Sequence, residues 1–393
     1  MWRGSVLSPG PLITTPPTPE IPPRPTFARV DLAALRHNLR TVRSLAGSAR
    51  VMGIVKANAY GHGLVPVAKS LLRDGIDELG VGFLEEGVEL RRAGIRAPIL
   101  VLGGIFEDQI PWFLRYGLDL TASSVFKLEQ IERAAEASGV RARVQIKIDT
   151  GMGRIGMQWD TAFQLFERAV ASPHCDIRGV FSHLATADSV DPSLADLQID
   201  RFDQALSFFP RHGLPMPTRH LAASGAILQH PRALYDLVRP GLMLYGLPPS
   251  PSLLSAAGLR PALTLETRVV FFKVGRKGRR VSYDGVPLEH DTRVVTLPVG
   301  YGDGYPRSLS RKGQVLIGGR RFPILGKVTM DAVMVDVDDA SVYNGDRAVL
   351  LGEQGSETIS AQDLADQVGT IPYEILSSIN TRVPRLYIDS DDR

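Results

Sequence analysis

Lys56 closes an apolar run, Val51 to Val55, and a polar turn with two glycines, Ala57 to Gly63, follows at once. Burial disfavours an ammonium ion, and a neutral amine at the end of a strand can condense with a carbonyl as a Schiff base. A lysine paired with a neighbouring carboxylate fits the same residues equally well. Arg239 stands before Pro240 and Gly241 at the end of another strand-like run. That placement slightly favours a site over a structural ion pair. Tyr283 alone reads as a strand tyrosine packed at a turn. Along 144–149, alternation puts Gln145, Lys147 and Asp149 on one face. If Val144, Ile146 and Ile148 face helices, Lys147 points inward, where a charged amine is costly unless an acid such as Asp149 pairs with it.

These residues need a scaffold. The runs 52–55, 79–82, 99–102, 118–121, 144–148, 177–182, 218–221 and 237–245 are strand-like, and helical stretches such as 84–93, 125–137 and 200–208 lie between them. The pattern predicts an α/β fold, an N-terminal (β/α)8 TIM-type barrel over 26–257, with a doubly wound sheet as the alternative. In a barrel, the C-terminal strand ends open onto the site, which is where Lys56 falls. Residues 27–30 read as a short strand, and Asp31 as the cap of a helix carrying Leu32, Leu35, Leu39 and Val42 that ends at Gly47. A linker is expected over 247–259. Beyond it the strand-like runs 263–274, 293–298, 314–317, 332–337 and 348–351, with one helix near 360–368, predict a mostly-β domain over 258–393. Eight of the 28 prolines fall in residues 1–25, which read as a disordered or extended tail without chemistry.

Composition removes several classes of function. The chain has 393 residues, and a formal charge of +3 spread over that length does not suggest a nucleic-acid binder. No apolar run approaches the roughly 20 residues of a membrane helix. The one cysteine, Cys175, rules out an internal disulfide and any metal site built on cysteine pairs, and it fits a reducing cytoplasm.

The segment around Lys56 resembles the pyridoxal-phosphate lysine motif of the alanine racemases. Further stretches resemble that family in the same order: 147–156, 182–188, 238–246, 281–284, 298–304, 329–331 and 382–385. The resemblance spans about residues 26–390. It implies pyridoxal 5′-phosphate as cofactor, a small amino acid as substrate, and a homodimer whose sites are shared. It implies Lys56 as the base on one face of the cofactor, acting on the D substrate. Tyr283 of the partner would act on the other face and on the L substrate, with His183 and Arg239 lowering the cost of its phenolate. Arg239 would also donate to the ring nitrogen, where most such enzymes place an acid. Tyr60, Ser224 and the amides of Gly241 and Leu242 would hold the phosphate, although Ser224 alone reads as a helix N-cap. Arg154 would meet the substrate carboxylate and the phenolic oxygen. Met330 and Tyr301 would reach the substrate side from the partner. Lys147 would be carbamylated, and no metal is implied.

Two positions depart from the family. Thr381 stands where a phosphate-side tyrosine is expected before Arg382-Val-Pro-Arg385, which predicts a roomier pocket, and Ala223 stands where some relatives have Asn. The implied activity is alanine racemisation, supplying D-alanine for a cell wall. A broader amino-acid racemase, a decarboxylase on a similar barrel and a non-catalytic cofactor carrier are the rivals. Arg239 and Tyr283 argue against the decarboxylase, and residues 260–393 against the carrier.

Overall fold

Asp31 ends one element and starts the next. It closes the strand Phe27–Asp31, and its carboxylate accepts the Ala34 amide at 3.1 Å to cap the helix Leu32–Ala46. The helix buries Leu35, Leu39 and Val42 and ends at Gly47, whose φ is +62°. The computed structural model describes residues 24–250 and 258–389.

Eight parallel strands form where eight are expected, but the last, expected over 237–245, is strand only at Leu237–Val238, and Leu242–Tyr245 is a 3-10 helix. Arg50–Ile54 pairs with Leu237–Val238 on one side and Glu78–Val81 on the other, and Glu78–Val81 pairs with Ile99–Val101. Ala142–Asp149 lies between Leu120–Ala122 and Cys175–Phe181, and the latter pairs with Thr218–His220. Single parallel bridges, Leu100 to Asp119 and Ala223 to Arg239, join the two runs at both seams. The strands therefore close into one ring in sequence order, the (β/α)8 barrel. The strand Glu78–Val81 is buried at every position, as a strand covered by helices outside and packed side chains inside must be.

The C-terminal region is mostly β. Its main sheet runs Arg320–Pro323, Gln314–Ile317, Arg347–Gln354, Leu263–Arg268, Phe27–Asp31, Arg385–Ile388. The strand Phe27–Asp31, which the sequence reading grouped with the barrel, thus belongs to this sheet. It pairs antiparallel with Leu263–Arg268 and parallel with Arg385–Ile388. A smaller sheet, Phe271–Gly275, Thr292–Leu297 and Val333–Asp336, lies beside it. The expected helix is Ala361–Val368, capped by Ser360, and a second, Pro372–Ser378, follows it.

The expectation of a tail falls mainly outside the described residues, as does the middle of the expected linker. Within 24–25 the structure differs from it, because Arg24 is docked. Its guanidinium forks onto Asp303 at 2.5 and 2.7 Å and donates to the Pro298 carbonyl at 2.7 Å. Asp303 is 1% exposed and also accepts the Gly300 amide. Among the described residues no helix is long and apolar enough to cross a membrane.

Removing Arg24 would leave the Asp303 carboxylate buried with less than its full set of donors. Arg24→Ala is expected to cost about 2 kcal/mol of stability, read as a lower urea midpoint. Arg24→Lys should recover only part, because an ammonium cannot make the fork. An unchanged midpoint in Arg24→Ala would show that the contact contributes nothing.

Candidate active site

The parallel strands end on one cavity of about 610 Å³. Lys56 reaches it from the turn after Arg50–Ile54, Lys147 from the strand Ala142–Asp149, and Arg154 from the loop beyond that strand. His183 follows Cys175–Phe181, Ser224 opens the helix Ser224–Gln229, and Arg239 follows Leu237–Val238. Tyr60, Gly241 and Leu242 complete the predicted residues that line it. Four basic side chains, Lys56, Lys147, Arg154 and Arg239, share the lining with one carboxylate, Asp188, among the described residues. Such a cavity suits an anionic ligand.

Lys56 is placed by an unusual turn. Ala57, Asn58, Ala59 and Tyr60 have φ of 53°, 55°, 52° and 51°, a run of left-handed residues without a glycine. Each costs about 1–2 kcal/mol relative to the right-handed form. The turn is tied down by bonds from outside it. The Leu64 amide donates to the Asn58 side chain at 2.8 Å, and His62 Nδ1 lies 3.1 and 3.0 Å from the carbonyls of Ala59 and Tyr60. Desolvation, with help from the Arg154 charge, lowers the Lys56 pKa below the usual lysine value.

Tyr60 ends the turn and packs on Tyr245, with ring centroids 4.9 Å apart. A Cβ on Gly241 would stand 2.6 Å from the Tyr60 hydroxyl, so the close approach requires glycine. Ser224 does not cap its helix. Its hydroxyl accepts the Gly241 amide at 3.0 Å and the Met243 amide at 3.4 Å. One hydroxyl pair and the adjoining amides thus converge at this end of the cavity.

Arg239 is 4% exposed. Its guanidinium donates to the carbonyls of His220 (2.7 Å), Ser182 (2.7 Å) and Leu221 (3.0 Å) and to His220 Nδ1 (3.0 Å). No carboxylate pairs with it among the described residues, and burial pushes its pKa down to about 9. Lys147 is buried as well. No carboxylate lies within ion-pair reach of it among the described residues, and its nitrogen sits 4.8 Å over the Phe181 ring. Asp149, the acid nearest in sequence, is instead occupied by the amides of Gly151 and Gly153. Burial first, and then Arg239 and Arg154, push the Lys147 pKa well below the usual lysine range.

Three predicted residues do not line this cavity. Tyr283, Tyr301 and Met330 lie on the surface of the C-terminal region. Tyr283 tips the hairpin Arg280–Val281 and Val286–Pro287, between Ser282 (φ 66°) and Asp284 (φ 63°). Tyr301 and Met330 are neighbours, since the amides of Tyr301 and Gly302 donate to the carbonyls of Thr329 and Met330.

Two residues of the site were missed in the sequence. Tyr373, on the helix Pro372–Ser378, lines the cavity and packs 5.9 Å from Tyr60. Thr381 is exposed and is not among the lining residues. The expected tyrosine slot therefore lies at 373, not 381, and the roomier pocket inferred from Thr381 does not follow. The second is Glu86, whose carboxylate accepts the Ala57 amide at 2.6 Å. In sequence it carries only the signature of a helix cap.

Fold and site together define a barrel protein of enzyme type, with a lysine at its mouth and a mostly-β C-terminal domain. The chain belongs to the alanine racemase family. Residues 30–249 match the family's "Alanine racemase, N-terminal domain" and 262–387 its "Alanine racemase, C-terminal domain". The chain is 45% identical over 366 residues to an alanine racemase of Symbiobacterium thermophilum, covering 93% of this chain and 97% of that protein. The structure of an alanine racemase from a D-cycloserine-producing Streptomyces lavendulae superposes with a TM-score of 0.88 at 37% identity, covering 93% and 97% of the two chains. A histidine racemase from Leuconostoc mesenteroides superposes with a TM-score of 0.86 at 28% identity, covering 94% and 99%.

Three histidines near the site are held neutral. Burial pushes His62 down to about 4. Burial and then Arg239 push His183 and His220 well below the usual imidazole range. The unfolded chain takes up these protons near pH 6.5 and the folded chain refuses them, so stability rises with pH across that window. It is full above about pH 6.5 and falls as pH drops through the folded values. Denaturation midpoints should decline below pH ~6.5, with a shallower slope in His62→Gln. Equal slopes would place the loss in other groups.

Proposed function

We propose that this chain interconverts L- and D-alanine, using pyridoxal 5′-phosphate held on Lys56, and acts as a cytoplasmic homodimer that supplies D-alanine for peptidoglycan. The observation that carries the reading is the charge and donor pattern of one cavity. A lysine of lowered pKa, a buried arginine with no carboxylate partner among the described residues and a glycine-dependent donor cluster line the same space.

These residues fit the cofactor. Tyr60, Ser224 and the amides of Gly241 and Leu242 would hold its phosphate, and the absence of a side chain at Gly241 keeps that end open. Arg239 would face its ring nitrogen as a donor that does not readily give up its proton. When bound, the cofactor withdraws the electron pair left at Cα once the proton has gone. Lys56 holds or takes the Cα proton on one face, and the downward shift of its pKa is in the direction a base requires. Tyr283 of the second subunit holds or takes it on the other, assisted by His183 and Arg239. Arg154 would orient the substrate carboxylate, with Met330 and Tyr301 of the second subunit beside it.

Exposed apolar surface supports the dimer. Phe83, Phe106 and Phe126 follow the C-terminal ends of three adjacent strands and are 67%, 74% and 63% exposed around the mouth. Tyr283, Tyr301 and Met330 are also exposed on the C-terminal domain. Apolar groups of this size favour burial against another surface. Lys147 is read as carbamylated. Its neutral amine would add to carbon dioxide and release one proton, giving an anion to pair with Arg154, and a mass shift on its peptide decides the point.

The main test is incubation with single L-amino acids in deuterated water, followed by chiral analysis and Cα exchange. Alanine should racemise with exchange at kcat/KM well above the others. Comparable turnover of serine or histidine would establish the broader racemase, and cofactor without exchange an inert carrier. Lys56→Ala should lose the visible absorbance of the bound cofactor. Tyr283→Phe should keep it and lose proton abstraction from L-alanine far more than from D-alanine. Equal losses would argue against this assignment of faces.

A further inference from the structure

Glu86 stands at the third position of the helix Leu84–Arg92, and its two oxygens do different work. Oε2 accepts the amides of Gly82 at 2.7 Å and Phe83 at 3.2 Å, an ordinary cap of its own helix. Oε1 leaves the helix and accepts the amide of Ala57 at 2.6 Å. Ala57 follows Lys56 and is the first of the four left-handed residues. The far end of that turn is tied by Asn58 and His62, and the near end by Glu86. Lys56 lies over the same spot. A Cβ on Gly82 would come within 3.3 Å of Glu86 Oε2 and 3.5 Å of Lys56 Cβ. The carboxylate, Gly82 and the lysine stem are therefore stacked, and the Glu86 charge also opposes that of Arg154 at the amine.

We propose that Glu86 is a positioning residue for Lys56, holding the left-handed turn at its first amide so that the lysine stays fixed over Gly82. Glutamine at this position keeps one carbonyl oxygen but turns an NH2 toward an amide donor, so one anchor is lost and the remaining bond is no longer charge-assisted. The turn is then free to relax toward the right-handed form. The same physics provides a rescue. Ala57 is exposed, and glycine there would adopt the left-handed φ without steric cost and without losing packing. A residue acting only as a helix cap would not be rescued by a glycine in another loop.

The inference rests on Lys56 being the cofactor lysine. The test compares holoenzyme from the wild type, Glu86→Gln and Glu86→Gln/Ala57→Gly, each mixed with hydroxylamine as carbonyl scavenger. The readouts are the rate of loss of the visible band, its circular dichroism per bound cofactor, and the melting temperature. Glu86→Gln should lose cofactor at least about tenfold faster, equivalent to about 1.4 kcal/mol, and its dichroism should fall by about half as the lysine loses its fixed orientation. Ala57→Gly should recover most of both changes. Loss within about twofold of wild type, or a defect that Ala57→Gly leaves in place, overturns the proposal. If Glu86→Gln does not fold, the double variant decides: folding with cofactor supports the proposal and failure overturns it. A wild type without any visible band would refute the cofactor reading instead.

Discussion

A guanidinium buried without a counter-ion among the described residues governs this site. Removing a charge from water is costly, and a carboxylate is the usual remedy. Arg239 is satisfied instead by the carbonyls of Ser182, His220 and Leu221. These carbonyls lie at the C-terminal ends of Cys175–Phe181 and Thr218–His220, where a parallel barrel runs out of strand partners. The barrel mouth thus supplies acceptors, and one arginine uses them. Burial lowers the pKa of His183, His220 and Lys147, and the Arg239 charge adds to that shift.

The consequences extend down the barrel. His220 Nδ1 faces an Arg239 donor, so it must be the acceptor, and the proton must sit on Nε2. Nε2 then donates to Gln145 at 3.1 Å, Gln145 donates to Asp119 at 3.2 Å, and Asp119 meets Arg143 at 2.7 Å. A column of polar side chains therefore crosses the barrel interior from the mouth to the opposite end. Each member has one orientation that satisfies its neighbours, which resists drift in the residue at the top. Burial raises the Asp119 pKa while Arg143 opposes the rise, so the lower end of the column has its own charge balance.

Much of this was legible in the sequence. Alternating apolar runs and helical stripes predicted all eight barrel strands, because parallel strands need continuous apolar residues and covering helices. Lys56, Lys147 and Arg239 stood out because each places a charge in or beside an apolar run. What failed to show was tertiary. The pattern at 27–31 says strand but not which sheet, and the pairing with Leu263–Arg268 needs contacts over two hundred residues away. Glu86 reads as a cap because half of its carboxylate is one. Tyr373 follows Pro372 at a helix start, and nothing local says that this helix meets Tyr60. Arg24 is hidden among prolines, although its fork onto Asp303 is among the better-made ion pairs of the chain.

The hand of the turn after Lys56 requires a tertiary explanation. A right-handed turn would avoid the steric cost at Ala57, Ala59 and Tyr60, and only Asn58 is of a type that often accepts the left-handed form. The bonds that hold the turn come from three directions. They are the Glu86 carboxylate, the Asn58 side chain reaching forward to Leu64, and the His62 ring reaching back to two carbonyls. Strained backbone persists where its surroundings over-determine it, and here it lies between two residues that must enter the same cavity. His62 can serve this purpose only while neutral, because its buried Nε2 has no partner for a second proton. Burial keeps this support uncharged while desolvation lowers the pKa of Lys56 at the other end of the turn, so placement and protonation meet in one short segment.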